Sequence, residues 1–513
     1  MRARNALAIT CAVALSAACG TTVPVSSTLA VPEGGANGSA FGAGPSSLPG
    51  TTALGGSTGA LTLPGGSPST IGGATSSPTG FGTATAEPGA SGASSAIPLR
   101  GPGWDAKNIW IGQSTVNDFD ATIGNLGIAV STGCQSCDGK AIADALNRQG
   151  GLFGRQVRIE FYDNHTSDLE SNPSGVAEAN CRHFTEDRPV FAVIALNAID
   201  SDNYRECLTK KRVAIIAQSA SPPTDEKVMA RYAPYFYNTL NPSWTRIQPL
   251  LLSRLKAQGW FTKWDTNTGK PSALAPVKVG ILNMGDPASV RITGNLKAAL
   301  TKMGYPVSVF QIGSGGQSDI AAAVLRFRSD GVTHVLTFTS DMLFFATAAE
   351  GQGYRPRYGV QSNNGPVIAL QQTNPNQANG AMGIGWAPNG SPAGNDVDTA
   401  HQPFTTPGQA WCLKALAFEG QTFTGANQQF PRSVGLMYCD LIRVAVLGAE
   451  AGGGLDPLSL RRGIASLGTS FPVATGFASF LSPTQFAVTG IARDVAWHAD
   501  CSCFQYGKVP YRL

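Results

Sequence analysis

The sequence is poor in histidine and in the short motifs that mark several enzyme classes. Its five histidines are dispersed along the chain. From residue 107 onward there is no G-x-S-x-G nucleophile elbow, no G-x-x-x-x-G-K phosphate loop and no H-E-x-x-H zinc motif. Residues 313–316 (GSGG) are typical of a turn rather than of a dinucleotide fingerprint. These absences predict a protein that is not an enzyme and that holds no cofactor.

Charge and long apolar runs are also scarce. The net charge of +4 is small, and no basic run with interleaved aromatic residues occurs, which argues against a nucleic-acid partner. Beyond the N-terminus, no segment offers the roughly 18 unbroken apolar residues that a membrane-spanning helix needs. With 42% hydrophobic residues over 513 positions, the chain can still bury more than one core.

The N-terminus has the features of an export signal. Arg2 and Arg4 precede an apolar run, residues 6–15, that is too short to cross a bilayer. The S-A-A-C-G that follows resembles a lipoprotein processing site at Cys19, although Leu15 lies four rather than three residues before the cysteine. We expect residues 1–19 to be a lipoprotein signal, with lipidated Cys19 anchoring the exported protein to the outer face of the cell membrane. Ordinary signal cleavage nearby is the alternative.

Residues 20–100 consist mainly of Gly, Ser, Thr, Ala and Pro, and only Glu33 and Glu87 are charged before Arg100. Such a composition cannot bury enough apolar surface to offset the entropy lost on ordering, so it predicts a disordered tether. A flexible chain of this length has an end-to-end distance of roughly 50 Å.

Residues 145–168 (ALNRQGGLFGRQVRIEFYDNHTSD) open a repeating α/β pattern. Gly150 and Gly151 end a helix, since glycine reaches the left-handed cap without a clash of its Cβ. Val157, Ile159 and Phe161 alternate with charged residues, which predicts a strand. Further apolar runs, among them VFAVIA, VAIIA, PVKVGIL and VTHVLTF, alternate with helical segments. This alternation is typical of parallel sheets with helices on both faces.

The series N-x-x-GG-x-x-GR, followed by a strand that closes on Y-D-N, resembles the first βαβ unit of bacterial type 1 periplasmic solute-binding proteins. That group includes the branched-chain amino-acid binding proteins of ABC importers, and the resemblance continues over roughly residues 107–513. It implies an α/β fold of two doubly wound parallel-sheet lobes joined by a three-crossing hinge. It also implies a monomer that captures a small-molecule ligand by hinge closure and delivers it to an ABC permease. The expected boundaries are 101–240 plus 381–476 for lobe 1 and 241–380 plus 477–513 for lobe 2, with residues 382–386 returning the chain to lobe 1.

Ligands of open parallel sheets bind beyond the C-terminal ends of the strands. The residues expected there are Ser114, Asn197, Ala198, Ser219 and Ser221 in lobe 1, and Asp286, Thr339, Asp341 and Asn363 in lobe 2. By the resemblance, the contacts to an amino-acid ligand fall on Asn197-Ala198 and on Ser219 and Ser221, unless these serines only cap helices. Phe119 lies in a loop expected over residues 113–133, where it either stacks on the ligand or belongs to a plain surface loop.

One departure from the family concerns the ligand. The amino-acid binders place an acidic residue of lobe 2 near the ligand ammonium, but the corresponding residues 361–365 (QSNNG) contain none. Either Asp341 or Asp286 takes that role, or the ligand lacks a cationic amine. Amino acids, amides and similar polar ligands all stay open.

Eight cysteines remain after Cys11 in the signal and Cys19 at the anchor, an even number that suits an oxidising compartment. We expect Cys181–Cys207 and Cys412–Cys439 to pair across successive helices and Cys134–Cys137 to form a local bond. Cys501 and Cys503 are also expected in disulfides, with their pairing left open. The weaker alternatives are a redox motif at Cys134 and Cys137, and a metal site formed by these two with Cys501 and Cys503. We expect no metal.

Two further functions stay open from the sequence alone. One is a ligand sensor or regulatory interaction protein on the same scaffold, without transport. The other is a thiol oxidoreductase that uses Cys134 and Cys137.

Overall fold

The computed structural model describes residues 97–116, 118–124, 131–196, 200–218, 223–313, 317–390, 395–399, 401–424 and 428–513. The expected signal, Cys19 and nearly all of the expected tether lie outside these residues. The description below concerns the folded head that begins near residue 97.

The first sheet has five parallel strands in the order β2-β1-β3-β4-β5. The strands are β1 (Asn108–Val116), β2 (Gln156–Asn164), β3 (Ala192–Leu196), β4 (Ala214–Gln218) and β5 (Phe236–Asn238). The intervening helices are α1 (Phe119–Gly124), α2 (Gln135–Arg148), α3 (Thr166–Ser171), α4 (Pro173–Arg182), α5 (Asp202–Lys210) and α6 (Glu226–Arg231), with a π-helical turn at His183–Asp187. Because β1 pairs with both β2 and β3, the winding reverses at that point, where ligands of such sheets bind.

The second sheet has seven strands, and all of them follow the strands of the first sheet along the chain. Its preceding helix is α7 (Trp244–Ala257), followed by a small hairpin of β6 (Trp264–Asp265) and β7 (Lys270–Pro271). The chain continues through β8 (Val279–Asn283), α8 (Pro287–Lys302), β9 (Val307–Gln311), α9 (Gln317–Ser329), β10 (His334–Leu336), α10 (Asp341–Gly351), β11 (Arg357–Gln361) and β12 (Met382–Gly385). Short 3-10 and π turns at Ser362–Asn364, Val367–Gln372 and Pro375–Gln377 separate the last two strands.

The chain then adds three helices over the first sheet before it completes the second. These helices are α11 (Pro407–Phe418), α12 (Gln429–Gly452) and α13 (Pro457–Ser466). The C-terminal hairpin of β13 (Ile491–His498) and β14 (Cys503–Arg512) joins antiparallel to β12, so the second sheet has the order β14-β13-β12-β11-β10-β8-β9.

Three apolar clusters cover the faces of the two sheets. One packs α2, α11, α12 and α13 on the first sheet and contains Ile142, Leu416 and Ile442. A second runs continuously from the other face of the first sheet to the second sheet, through α7 and α8. A third packs α9 and α10, with Phe327 and Phe345, on the far face of the second sheet. The central strands of both sheets are therefore buried on both faces, as their continuous apolar sequences predict.

The glycines after α2 act as the sequence predicts. Gly150 and Gly151 have φ angles of 107° and 70°. A Cβ on Gly151 would lie 1.9 Å from the carbonyl oxygen of Arg155, so this turn also requires a residue without a side chain. The turn positions Val157, whose backbone N–H donates to the Asn147 side chain over 2.7 Å and thereby ties β2 to α2.

Two expectations about the chain path are wrong. Residues 382–386 do not return the chain at once to the first sheet, because β12 pairs in parallel with β11 as part of the second sheet. The expected loop over residues 113–133 begins too early, since β1 runs through Val116 and α1 follows at Phe119. The reason is pairing: Gln113, Ser114 and Thr115 are polar, yet each lies in register with a β2 residue and is buried.

Candidate functional site

The C-terminal edge of the first sheet is described only in part. Asn197, Ala198, Ser219 and Ser221 lie outside the described residues, so their contact with a ligand stays a prediction. Gln218, the last residue of β4, is described and directly precedes Ser219. At this edge, Gln218 is therefore the residue whose side-chain environment bears on the predicted site.

Gln218 is a buried polar residue with unused hydrogen-bonding capacity. Its side chain is 1% exposed, and its Nε2 has no hydrogen-bond partner in the described part of the protein. A buried donor without a partner costs about 1–3 kcal/mol, so such a group is expected where a ligand or an ordered water completes it. The sequence interpretation began the strand tip at Ser219 and passed over Gln218. The sequence does contain a signal for Gln218, because it is the first polar residue after the apolar run VAIIA.

The second sheet also has a buried polar residue near the end of a strand. It is Asn363, in the turn that follows β11. Its neighbours are used internally: Asn364 accepts from the backbone N–H of Gln361 over 3.0 Å and donates to Thr337 Oγ1 over 2.8 Å. Asn363 is 1% exposed, and its Oδ1 has no hydrogen-bond partner among the described residues. The first sheet thus has a buried donor, Gln218 Nε2, and the second a buried acceptor, Asn363 Oδ1, each without a partner among the described residues.

An ion pair joins the two edges. Arg291, on α8 after β8, donates to both carboxylate oxygens of Asp225, which caps α6 after β4, over 2.6 and 2.9 Å. Burial alone would raise the pKa of Asp225, but the hydrogen bonds from Arg291 and from the Val228 backbone N–H hold this pKa below its usual value. The helices that follow β4 and β8 therefore contact each other through this pair. We call the group formed by Gln218, Asp225, Arg291 and Asn363, all at or just beyond the ends of strands, the candidate cleft.

The other predicted residues of the second sheet have structural partners. Asp286 caps α8 by accepting from the backbone N–H groups of Ala288 and Ser289, each over 2.9 Å, and from the Ser289 hydroxyl. Burial raises the pKa of this carboxyl despite those bonds. Thr339 donates its hydroxyl to Asp341, and both side chains are buried. Both acidic side chains near this edge already accept hydrogen bonds.

Ser114 and Phe119 are not placed as expected. Ser114 lies inside β1 rather than beyond it, and its buried hydroxyl donates to Asn180 Oδ1 over 2.7 Å. Asn180 donates in turn to Asn164 Oδ1 over 2.7 Å, so this network joins α4 to the sheet interior. Phe119 begins α1 and packs, partly buried, against the apolar cluster that the two sheets share. Both side chains therefore have an evident packing role.

The cysteines form four pairs in the structure. The bonded pairs are Cys134–Cys137, Cys181–Cys207, Cys412–Cys439 and Cys501–Cys503. Cys134 and Cys137 open α2, and Cys501 and Cys503 lie in the turn of the C-terminal hairpin, so these four sulfurs are used in two separate disulfides. Within the described residues, no group of three or more His, Cys, Asp or Glu side chains is arranged to hold a metal ion.

A sequence model of the family described as periplasmic binding protein matches residues 139–488. The match spans well over half of the chain, and the chain belongs to this family. The resemblance drawn from the sequence is thereby confirmed, as is the fold class of two parallel-sheet α/β lobes. A sequence search of curated proteins found no match.

Solved structures share the fold at low sequence identity. A fatty acid ABC transporter substrate-binding protein from Thermomonospora curvata has a TM-score of 0.56 at 13% identity, over 81% of this chain and 95% of that one. A solute-binding protein from Rhodopseudomonas palustris in complex with p-hydroxybenzoic acid has a TM-score of 0.55 at 12% identity, over 79% and 97%. A branched-chain amino acid transporter substrate-binding protein from Streptococcus pneumoniae, in complex with isoleucine, has a TM-score of 0.52 at 13% identity, over 79% and 99%.

These relatives bind unlike ligands on one fold, so the fold does not identify the ligand of this chain. The family and these neighbours are substrate-binding proteins rather than enzymes, and a general solute-binding role follows from family membership. No helix in the described ranges combines the length and the apolar character that a membrane span requires.

Proposed function

We propose that this protein is the extracytoplasmic solute-binding component of an ABC importer, and that it captures a small polar ligand between two lobes. The observation that supports this most directly is a pair of buried groups near the strand ends, the Gln218 donor and the Asn363 acceptor, which have no hydrogen-bond partner among the described residues. A ligand that carries both an acceptor and a donor would complete the two groups at once. Its binding free energy would then favour the arrangement in which the edges approach.

The charges at the cleft favour a ligand without an ammonium group. The residues of the second sheet closest to that role, Asp286 and Asp341, already accept hydrogen bonds from the protein. Asp225 is held by Arg291. A neutral amide or a related polar ligand uses one donor and one acceptor and needs no free carboxylate, so we favour amides over amino acids.

The proposal includes export and a lipid anchor at Cys19, with residues 20–100 as the tether between anchor and head. Support comes from the composition of these residues and from membership in a periplasmic binding protein family. Replacing Cys19→Ser should move the protein from the membrane fraction to the soluble fraction. Retention of the variant in the membrane fraction would contradict the anchor.

The ligand class is tested by thermal unfolding of the purified protein with acetamide, urea, leucine, adenosine and 4-hydroxybenzoate. A ligand that binds only the folded state at 100 times its dissociation constant stabilises that state by about 2.7 kcal/mol. We expect one chemical class to raise the unfolding temperature. A flat response across the panel, with protein shown to be free of co-purified ligand, would contradict the binding role.

The cleft is tested with Gln218→Leu and Asn363→Leu. Each change removes a buried polar atom that has no partner among the described residues, at similar volume, so the ligand-free protein should lose little stability. Ligand affinity should fall by about ten-fold or more, since each hydrogen bond is lost in the complex. Gln352→Leu is the matched control, because Gln352 also has an unpaired buried oxygen but caps the distal end of α10. Unchanged affinity in both cleft variants would show that the cleft is wrongly placed.

A further inference from the structure

A pocket of about 220 Å³ lies where the chain crosses between the two sheets. Its walls come from α6, from the first crossing of the chain between the sheets (residues 241–246), from α13 and from the last crossing (residues 483–487). We call it the hinge pocket. The residues that matter for its chemistry are Met229, Arg246, Arg461, Gln485 and Phe486.

The hinge pocket and the candidate cleft are lined by different residues. Its nearest strand is β5, whose Asn238 contributes to the lining, and β5 is the edge strand of the first sheet. β5 pairs with β4, whose last residue, Gln218, belongs to the candidate cleft, so the two sites lie at neighbouring strands. None of the four residues that define the candidate cleft lines the hinge pocket.

The polar groups of the hinge pocket include a buried donor that has no acceptor among the described residues. Arg246 pairs with Glu226 over 3.3 Å and donates to Gln485 Oε1 over 3.2 Å. That contact orients the Gln485 amide, which is 7% exposed. Its Nε2 has no acceptor in the described part of the chain.

A cation without an acidic partner accompanies this donor. The Arg461 guanidinium lies over the Phe486 ring, 4.4 Å from its centroid, and no ion pair joins it to a carboxylate of the described residues. The single acidic residue of the lining, Glu226, is already held by Arg246 and by the Ser243 hydroxyl over 2.8 Å. The pocket therefore presents a net positive charge.

The remaining walls are mostly apolar. Met229, Pro242, Phe486 and Ala487 contribute carbon surface beside these polar groups. The volume lies below the roughly 300–1,000 Å³ of pockets that enclose drug-sized ligands. The lining thus suits a small molecule with an apolar body and one anionic head.

We propose that the hinge pocket is a second binding site, for a small monocarboxylate. The carboxylate accepts hydrogen bonds from Gln485 Nε2 and from Arg461, and the hydrocarbon part contacts Met229 and Phe486. Carboxylates are the usual partners of such guanidinium and amide donors, and a charge-assisted bond is stronger than a neutral one.

Butyrate is a suitable probe, and butanamide is its neutral counterpart of the same shape. In calorimetric titrations of the whole protein, we expect butyrate to bind and butanamide to bind at least ten-fold more weakly. Arg461→Gln and Gln485→Leu should each weaken butyrate binding by about ten-fold or more. Ala230→Phe, at an exposed position of α6 that lines the pocket, should block binding by filling the space without a change in the core.

Two controls separate this site from the cleft and from general electrostatics. Lys227→Gln removes one positive charge from the exposed face of α6 outside the pocket lining and should leave butyrate binding unchanged. Asn363→Leu alters the candidate cleft and should also leave it unchanged. The proposal is overturned if butyrate does not bind, or if Asn363→Leu abolishes binding while Arg461→Gln and Ala230→Phe do not. Because the cleft and pocket variants differ, failure of the hinge pocket is distinguishable from failure of the importer role.

Discussion

The two sheets share a winding pattern, but the protein holds them together by different means. Three of the four disulfides connect helices or a helix start around the first sheet, at α2, between α4 and α5, and between α11 and α12. The second sheet has one, the local Cys501–Cys503 bond in its C-terminal hairpin. Similar strand sequences thus lead to a covalently braced sheet and to one that depends on packing and hydrogen bonds.

The two sheets also differ in the groups that accept hydrogen bonds from their buried arginines. Beside the first sheet, Arg205 donates to both carboxylate oxygens of Asp200 over 2.6 and 2.7 Å, and both side chains are almost completely buried. At the second sheet, Arg357 donates instead to the backbone carbonyls of Gly259 and Gly380, over 2.7 and 3.0 Å. Burial lowers the pKa of Arg357 to about 10. A buried carboxylate thus neutralises Arg205 beside the first sheet, whereas backbone carbonyl groups hold Arg357 at the second.

The largest expected effect tests the buried pair. Arg205→Met leaves Asp200 buried and without its cation, so the free energy of unfolding should fall by about 3–5 kcal/mol. The control is Arg254→Met, which removes an equally bidentate pair with Asp494 at 25% and 21% exposure. That change should cost about 1 kcal/mol or less, because solvent screens the pair. Urea unfolding measures both free energies of unfolding. Equal losses in the two variants would show that burial does not distinguish the two ion pairs.

The disulfides should give the next largest difference. Cys181→Ala with Cys207→Ala opens a link between residues 26 apart, which should lower the free energy of unfolding by about 3 kcal/mol through the entropy of the unfolded chain. Cys501→Ser with Cys503→Ser opens a link between residues 2 apart and should change stability little. The double variants are compared by thermal unfolding. A large loss in the hairpin variant would mean that the second sheet also depends on its disulfide.

The smallest expected effect is a pair of opposite pH dependences. Burial lowers the pKa of His334, in β10, from 6.5 to about 4. A lowered folded-state pKa means that the unfolded chain binds the proton first, so His334 destabilises the protein as pH falls from about 6.5 to about 4. Burial raises the pKa of Asp138, in α2, from 3.8 to about 8. Its stabilising contribution is therefore complete below about 4 and is lost as pH rises through about 8.

Two variants separate these contributions. His334→Gln should reduce the loss of stability between pH 6.5 and 4.5, and Asp138→Asn should reduce the loss between pH 5 and 9, each by about 1–3 kcal/mol. Denaturant unfolding across pH measures both. If each variant keeps the pH profile of the parent protein, the contrast between the two sheets does not extend to their titrating groups.

Much of the architecture could be predicted from the sequence, but the polar chemistry at the edges could not. Gly150 and Gly151, the apolar strands and the helices between them follow from local rules of backbone conformation and burial. Ser114 shows where those rules end: its polarity suggested a loop, yet parallel pairing with β2 continues the strand through it. Gln218 was missed because its importance depends on which neighbours leave its Nε2 without a partner.

The sequence by itself determined the order of helices and strands, the two-sheet architecture and membership in a family of solute-binding proteins. These features depend on apolar periodicity and glycine placement, which act over a few residues at a time. Only the tertiary structure decided that β12 joins the second sheet, that Arg291 contacts Asp225, and that Gln218 Nε2 and Asn363 Oδ1 have no hydrogen-bond partner among the described residues. Such features depend on contacts between residues far apart in the chain, and the chemistry of one residue does not specify which distant group lies beside it.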